Sequence, residues 1–177
     1  RTCLDNGAYV GLVVGGGGFI VERVRPLGIP VWVVPTLARL DPLSMYRSYR
    51  TVRRIVSDFS PDVVSGHSTM AGSVVRLAAN AEGVPRIVFR CHGWPFTAGA
   101  PRWRRVLVPW ERYLARISSE IVCVSEYERN TALRYRIGGP HQLSVVYNGH
   151  QANGAARATP PTEDEARLLF VGRLSSE

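Results

Sequence analysis

The sequence contains no lysine: all 22 of its basic residues are arginine. A Walker-type phosphate loop, which needs a lysine to reach the terminal phosphates, is therefore excluded. No apolar run approaches the roughly 20 residues that a membrane-spanning helix requires. There is no GxSxG elbow, which leaves hydrolase chemistry without support. No CxxC pair occurs and the 4 histidines are scattered, so no metal-site spacing is present and no metal is expected. Cysteine is also scarce. Cys3, Cys91 and Cys123 are far apart, and Cys123 lies in an apolar run, where a buried reduced thiol is the ordinary reading. That points to a reducing, cytoplasmic compartment. The chain opens on Arg1 without a methionine or a signal pattern, so targeting is not legible and upstream residues are expected.

What is present describes a globular chain. Its 177 residues suit one domain, and 45% hydrophobic with 20% charged residues is too apolar for disorder. The net charge is +8. Two readings of the arginine excess stand side by side: a compositional bias, or contact with phosphate or an anionic surface, which guanidinium forks grip at two points. No nucleic-acid-binding motif accompanies the charge, so nucleic acid is not an expected partner.

Along the chain, short apolar runs alternate with helical patterns. Strands are expected at residues 9–14, 29–34, 62–65, 86–91, 121–124 and 144–147. Helices are expected at 19–27, 43–59, 70–81, 103–117 and 126–136, the second opened by Asp41-Pro42 and closed before Pro61. The strands show no in/out alternation. Alternation of helix with such strands predicts an α/β, doubly wound, Rossmann-like parallel sheet covered on both faces. Ligands of such sheets sit beyond the carboxyl ends of the strands. Residues 150–167 read as a Pro-, Ala- and Gly-rich linker, and 168–177 as the opening strand of a second domain.

Three strand-end segments invite a functional reading. The glycine run at residues 15–18 suggests a dinucleotide site, but the next strand ends in Pro35-Thr36 without a ribose-binding acid. A flexible loop lining a cleft is the better reading. Gly66, His67, Ser68 and Thr69 join a strand to a helix, where they either cap the helix plainly or offer amides to an anion. In His92-Gly93-Trp94-Pro95-Phe96, the imidazole stands at the ligand edge, Gly93 lets backbone approach a ligand, and Trp94 and Phe96 offer flat faces for a sugar ring. The helix at 43–59 carries Met45, Tyr49, Val52, Val56 and Phe59 as an inward stripe. Its Arg47, Arg50, Arg53 and Arg54 form either a solvated face or a surface for anionic lipid, to which Arg102, Arg104 and Arg105 could add.

The order His67-Ser68-x-x-Ala71-Gly72, His92-Gly93-Trp94-Pro95-Phe96, Trp110-Glu111-Arg112-x-Leu114-Ala115-Arg116, Cys123-Val124-Ser125-Glu126 and Tyr147-Asn148-Gly149 resembles the N-terminal domain of family 4 glycosyltransferases. Phe170-Val171-Gly172-Arg173-Leu174 resembles the opening of that family's C-terminal domain. The resemblance is nearest to enzymes of capsular and exopolysaccharide biosynthesis. It implies a GT-B architecture, with residues 1–149 as an acceptor-side domain lacking its first strand. It also implies a retaining hexosyl transfer from a nucleotide sugar to a lipid-linked or polysaccharide acceptor, with no cofactor beyond that donor substrate. His92 takes the catalytic position. Gly66, His67, Ser68, Thr69, Gly93, Trp94 and Phe96 take acceptor-side positions, and Arg173 is matched to the donor diphosphate. The family places an aliphatic residue and an acid where this chain has His150-Gln151, and its donor carboxylates have no counterpart here, so the 177 residues alone are expected to be inactive. The alternatives are a GT-B-type nucleotide-sugar epimerase and a non-catalytic glycan- or lipid-binding fragment.

Overall fold

The computed structural model describes residues 5, 7–39, 41–97 and 101–149, with the side chains of 101–104 left out. The chain divides into two compact units, Arg1–Tyr147 and Asn148–Glu177. Of the second unit only Asn148 and Gly149 are described, so the expected linker at 150–167 and strand at 168–177 lie outside the described residues.

The first unit is a parallel α/β domain of the Rossmann-like class. Strands β1 (Leu12–Val14) and β2 (Val31–Val33) pair in parallel. Strands β3 (Val63–His67), β4 (Arg86–Cys91), β5 (Glu120–Cys123) and β6 (Leu143–Val145) form a second parallel ladder in consecutive order. The helices are α1 (Phe19–Val24), α2 (Pro42–Phe59), α3 (Thr69–Ala81), α4 (Pro101–Arg116) and α5 (Glu126–Arg134). Within this unit each expected element is present, with most ends shifted by a few residues. The first helix is shorter than expected, because Pro26 turns its end into a 3-10 segment, Arg25–Leu27.

The strands do alternate, contrary to the expectation. Ile87, Phe89 and Cys91 of β4 and Ile121 and Cys123 of β5 are buried, while Val88, Arg90 and Val122 between them are half-buried. Consecutive parallel strands joined by right-handed crossovers carry their connecting helices on the same face, and that face is the better covered one. Its core joins Phe89, Cys91, Ile121, Cys123 and Leu143 of the strands to Val108, Ala115, Ala132 and Ile137. A second cluster packs Val52 and Val56 of α2 against Val74 and Ala78 of α3.

Helix α2 starts where Asp41 accepts a hydrogen bond from the Ser44 amide at 2.8 Å, with Pro42 in its first turn. It stops at Ser60, whose φ of 48° is left-handed, just before Pro61. Its buried stripe is Ser44, Ser48, Val52 and Val56, whereas Met45, Tyr49 and Phe59 are only half-buried. The serines win because the helix approaches the 3-10 segment Pro35–Ala38 closely enough for Ser48 Oγ to donate to Thr36 Oγ1 at 2.7 Å.

Helix α3 lies equally close to the sheet. A Cβ on Gly66 would stand 3.2 Å from Gly72 Cα, and one on Gly72 would stand 2.6 Å from the Phe89 ring. Beneath this helix Arg76 is fully buried, donating from Nη2 to Glu111 Oε2 at 2.9 Å and from Nε to the Gly72 carbonyl at 3.0 Å. Its guanidinium carbon lies 3.8 Å from the Phe89 ring centroid. This pair ties α3 to α4.

Candidate functional site

The carboxyl ends of β3 and β4 bring together the two histidines singled out above. His67 is the last residue of β3, and His92 follows Cys91, the last residue of β4. Their rings meet edge to edge, with His67 Nδ1 3.2 Å from His92 Nε2. The other nitrogen of His67 lies 3.3 Å from Ser65 Oγ. Ser65 and His67 stand two apart on one strand and so share a face of the sheet. Arg90 is the register partner of His67 on β4, and its guanidinium donates to the Val146 carbonyl at 3.1 Å. Burial, then the neighbouring His92 and Arg90, pushes the pKa of His67 below the ordinary histidine value.

Ser68 follows His67 at φ 62° and ψ 162°, a combination nearly confined to glycine. It stands at the head of α3 but makes no side-chain capping hydrogen bond, so capping does not explain it. Ser68 and Thr69 therefore join the edge at which the two histidines stand. Gly66 does not: it is buried against α3, where its missing Cβ serves helix packing.

The His92 loop divides in the same way. His92 and Gly93 are exposed, and a Cβ on Gly93 would meet nothing within 4 Å. Trp94 and Phe96 are 2% and 1% exposed. They stack on each other at 5.7 Å between centroids, and the Trp94 indole donates to the Glu128 carbonyl at 2.9 Å. The expectation that they present faces to a sugar is corrected: both rings fill the core between the sheet and α5. Their work is to hold the loop that carries His92.

Cys91 and Cys123 are buried free thiols, register partners across β4 and β5. Burial pushes Cys123 up to about 11 and Cys91 higher, so both stay protonated and neither serves as a nucleophile at neutral pH. Among the described residues, no group of three or more His, Cys, Asp and Glu side chains could hold a metal ion.

On α2, Arg47, Arg50, Arg53 and Arg54 are exposed. Arg53 is engaged by Glu82 at the end of α3, which draws it out of the free cationic face. Arg50, Arg53 and Arg54 line a shallow cavity of about 410 Å³ with Tyr46, Tyr49, Ser57 and Glu82. Arg105 of α4 is exposed, while the side chains of Arg102 and Arg104, and all of Arg173, lie outside the described residues. No helix among the described residues is long and apolar enough to cross a membrane.

Sequence reasoning passed over Ser65 and Arg90. The signal for each was even spacing on its own strand, Ser65 two residues before His67 and Arg90 two before His92. It also passed over the buried pair of Arg76 and Glu111, whose residues lie 35 positions apart.

The fold is thus that of a Rossmann-like parallel α/β domain, and its polar cluster stands at the strand carboxyl ends, the edge where such sheets bind ligands. This chain belongs to the family described as the glycosyl transferase 4-like domain, whose model matches residues 5–149. It is 24% identical over 149 residues to the UDP-Gal:alpha-D-GlcNAc-diphosphoundecaprenol alpha-1,3-galactosyltransferase of Escherichia coli, covering 83% of this chain and 38% of the relative. It is 25% identical over 131 residues to a UDP-N-acetylglucosamine–N-acetylmuramyl-(pentapeptide) pyrophosphoryl-undecaprenol N-acetylglucosamine transferase of Shewanella violacea, covering 74% of this chain and 31% of the relative. The chain thus spans less than two fifths of the length of these relatives. In fold it is similar to the crystal structure of Acinetobacter baumannii MurG, with a TM-score of 0.57 at 13% identity over 88% of this chain and 41% of that one.

Proposed function

We propose that this domain is the acceptor-side half of a retaining glycosyltransferase that moves a hexose-type sugar from a nucleotide sugar to a lipid-linked or polysaccharide acceptor. The observation that carries the proposal is the meeting of His67 and His92 at the carboxyl ends of adjacent strands, the edge where such sheets bind ligands. The relatives favour the lipid-linked branch: the names of both specify an undecaprenyl diphosphate acceptor, one bearing N-acetylglucosamine and the other an N-acetylmuramyl-pentapeptide.

In this reading His92 faces the reacting centre and accepts a hydrogen bond from the acceptor hydroxyl. Gly93 lets the loop backbone approach the acceptor closely, and Ser68 and Thr69 line the same edge with polar groups. Arg173 neutralises the donor diphosphate, and neither a cofactor nor a metal ion takes part. The enzyme works at the cytoplasmic membrane face, where Arg47, Arg50 and Arg54 hold it against anionic lipid with Arg102, Arg104 and Arg105 alongside; each basic residue near such a surface contributes about 1 kcal/mol.

The test uses the full-length enzyme with a labelled nucleotide sugar and an undecaprenyl-diphosphate-linked sugar. Transfer is expected, with His92→Ala reducing it at least tenfold. Full activity in His92→Ala sinks the site assignment, and an epimerised nucleotide sugar formed without acceptor overturns the transferase reading in favour of an epimerase. Co-sedimentation with vesicles of anionic lipid tests the membrane half separately. Binding that neither weakens with salt nor falls on replacing Arg47, Arg50 and Arg54 refutes it.

A further inference from the structure

Neutral histidine carries one proton on two nitrogens, so a contact between two imidazoles fixes which nitrogen of each is protonated. His67 spends both nitrogens locally: Nδ1 on His92 Nε2 at 3.2 Å, and Nε2 toward Ser65 Oγ at 3.3 Å. With one ring donating to the other, only two arrangements satisfy the chain of three groups. In the first, His92 Nε2–H donates to His67 Nδ1, and His67 Nε2–H donates to Ser65. In the second every proton is reversed, and His92 carries its proton on Nδ1.

We propose that His67 is a positioning residue that holds neutral His92 as the Nε2–H tautomer and so leaves its Nδ1 lone pair as the site's hydrogen-bond acceptor. The first arrangement is the favoured one because it places each ring in the tautomer that free imidazole side chains prefer. Both arrangements leave His67 neutral, as its surroundings favour. The groups facing His67 are Arg90 across the ladder on β4, His92 in the loop beyond β4 and Ser65 on its own strand. The amino end of α3, with its positive dipole, begins immediately after it. None of these offers a negative charge, and a proton on His67 is opposed by two of them.

In the reversed arrangement His67 Nδ1 would donate, His92 Nε2 would present a lone pair, and the free nitrogen of His92 would be a donor instead of an acceptor. This inference rests on the reading of His92 as the residue facing the acceptor hydroxyl, because only there does the tautomer matter to transfer.

The test is long-range proton–nitrogen NMR of the nitrogen-15-labelled protein, which identifies the tautomer of each histidine. Above about pH 6.5, the ordinary histidine range, His92 is expected as a single Nε2–H tautomer. His67→Ala is expected to mix the two tautomers of His92. In His67→Asn the side-chain oxygen stands in for Nδ1 and preserves the Nε2–H form. Ser65→Ala should weaken the preference without removing it. A His92 tautomer that is the same in wild type and His67→Ala overturns the proposal, as does an Nδ1–H tautomer in the wild-type neutral form. Loss of fold in His67→Ala leaves the wild-type neutral tautomer and His67→Asn to decide. The NMR readout does not depend on transfer, so an inactive His92→Ala enzyme with an indifferent tautomer refutes the positioning role alone. An intact tautomer response with a fully active His92→Ala enzyme refutes the functional reading alone.

Discussion

Replacing Glu111 by glutamine keeps the shape of the side chain and removes its charge, which isolates the electrostatic part of the buried pair. Arg76 and Glu111 are both 0% exposed and meet at 2.9 Å, while Arg76 Nη1 and Glu111 Oε1 have no hydrogen-bond partner among the described residues. Breaking a buried pair by removing one partner costs about 3–5 kcal/mol, because the survivor remains buried and charged. Glutamine retains one acceptor, and the Phe89 ring still faces the guanidinium, so the lower end, about 3 kcal/mol, applies. For a domain of this size that corresponds to a fall in Tm of about 6–12 °C. Arg76→Met is expected to be milder in acid than at neutral pH. Burial already holds the Glu111 pKa above the ordinary carboxylate value, with Arg76 opposing the rise. Without Arg76 the carboxyl takes a proton more readily, so stability is retained at low pH and lost as pH rises through the folded-state value. A guanidinium has no such escape. Urea unfolding of both single variants and of the Arg76→Met/Glu111→Leu double variant, across pH, checks this. The double variant should lie near wild type or above it. A Glu111→Gln loss below about 1 kcal/mol, or a double variant as unstable as either single one, refutes the reasoning.

Trp94→Ala should cost about 3–5 kcal/mol in urea unfolding, the cost of emptying a core aromatic site; a change near zero would restore Trp94 to the surface. Ser68→Gly should raise stability by about 1 kcal/mol by relieving its glycine-only backbone conformation, read as an increased urea midpoint at constant slope.

The sequence made the order of elements legible because the apolar runs are short and their boundaries carry chemical signals. Asp41, Pro42 and Pro61 bracket α2, and the capping role of Asp41 is visible in its bond to Ser44. Strand β4 was expected at 86–91 and runs from Arg86 to Cys91. Burial was less legible. Apolar spacing on α2 pointed to Met45 and Tyr49, but close approach of the 3-10 segment favours the small Ser44 and Ser48. Trp94 and Phe96 failed for a related reason: an aromatic next to a ligand-edge residue reads the same whether its ring points outward or inward. Only the position of α5, whose Glu128 carbonyl takes the indole proton, decides between them. Gly66 likewise reads as a ligand-approach glycine until α3 is seen lying against it.

The inward turn of those rings strengthens the case for His92. An imidazole at the tip of a loop gains little geometric definition from being near a binding edge, since loop backbone and side chain must both be ordered before it is useful. Here the residue before it, Cys91, is fully buried in β4, and Trp94, two residues beyond, is held in the core by its stacking and its indole hydrogen bond. Thr97 closes the segment behind it, its amide and hydroxyl both donating to the Trp94 carbonyl. Only His92 and Gly93 remain outside between Cys91 and Trp94. The aromatics that looked like a platform for sugar are thus the anchors of a two-residue exposed tip. The imidazole on that tip is fixed from the other side by His67. Under the proposed role, the acceptor hydroxyl would donate one directed hydrogen bond to a preordered nitrogen, so selectivity for acceptor should depend on hydroxyl position more than on the apolar faces of the sugar.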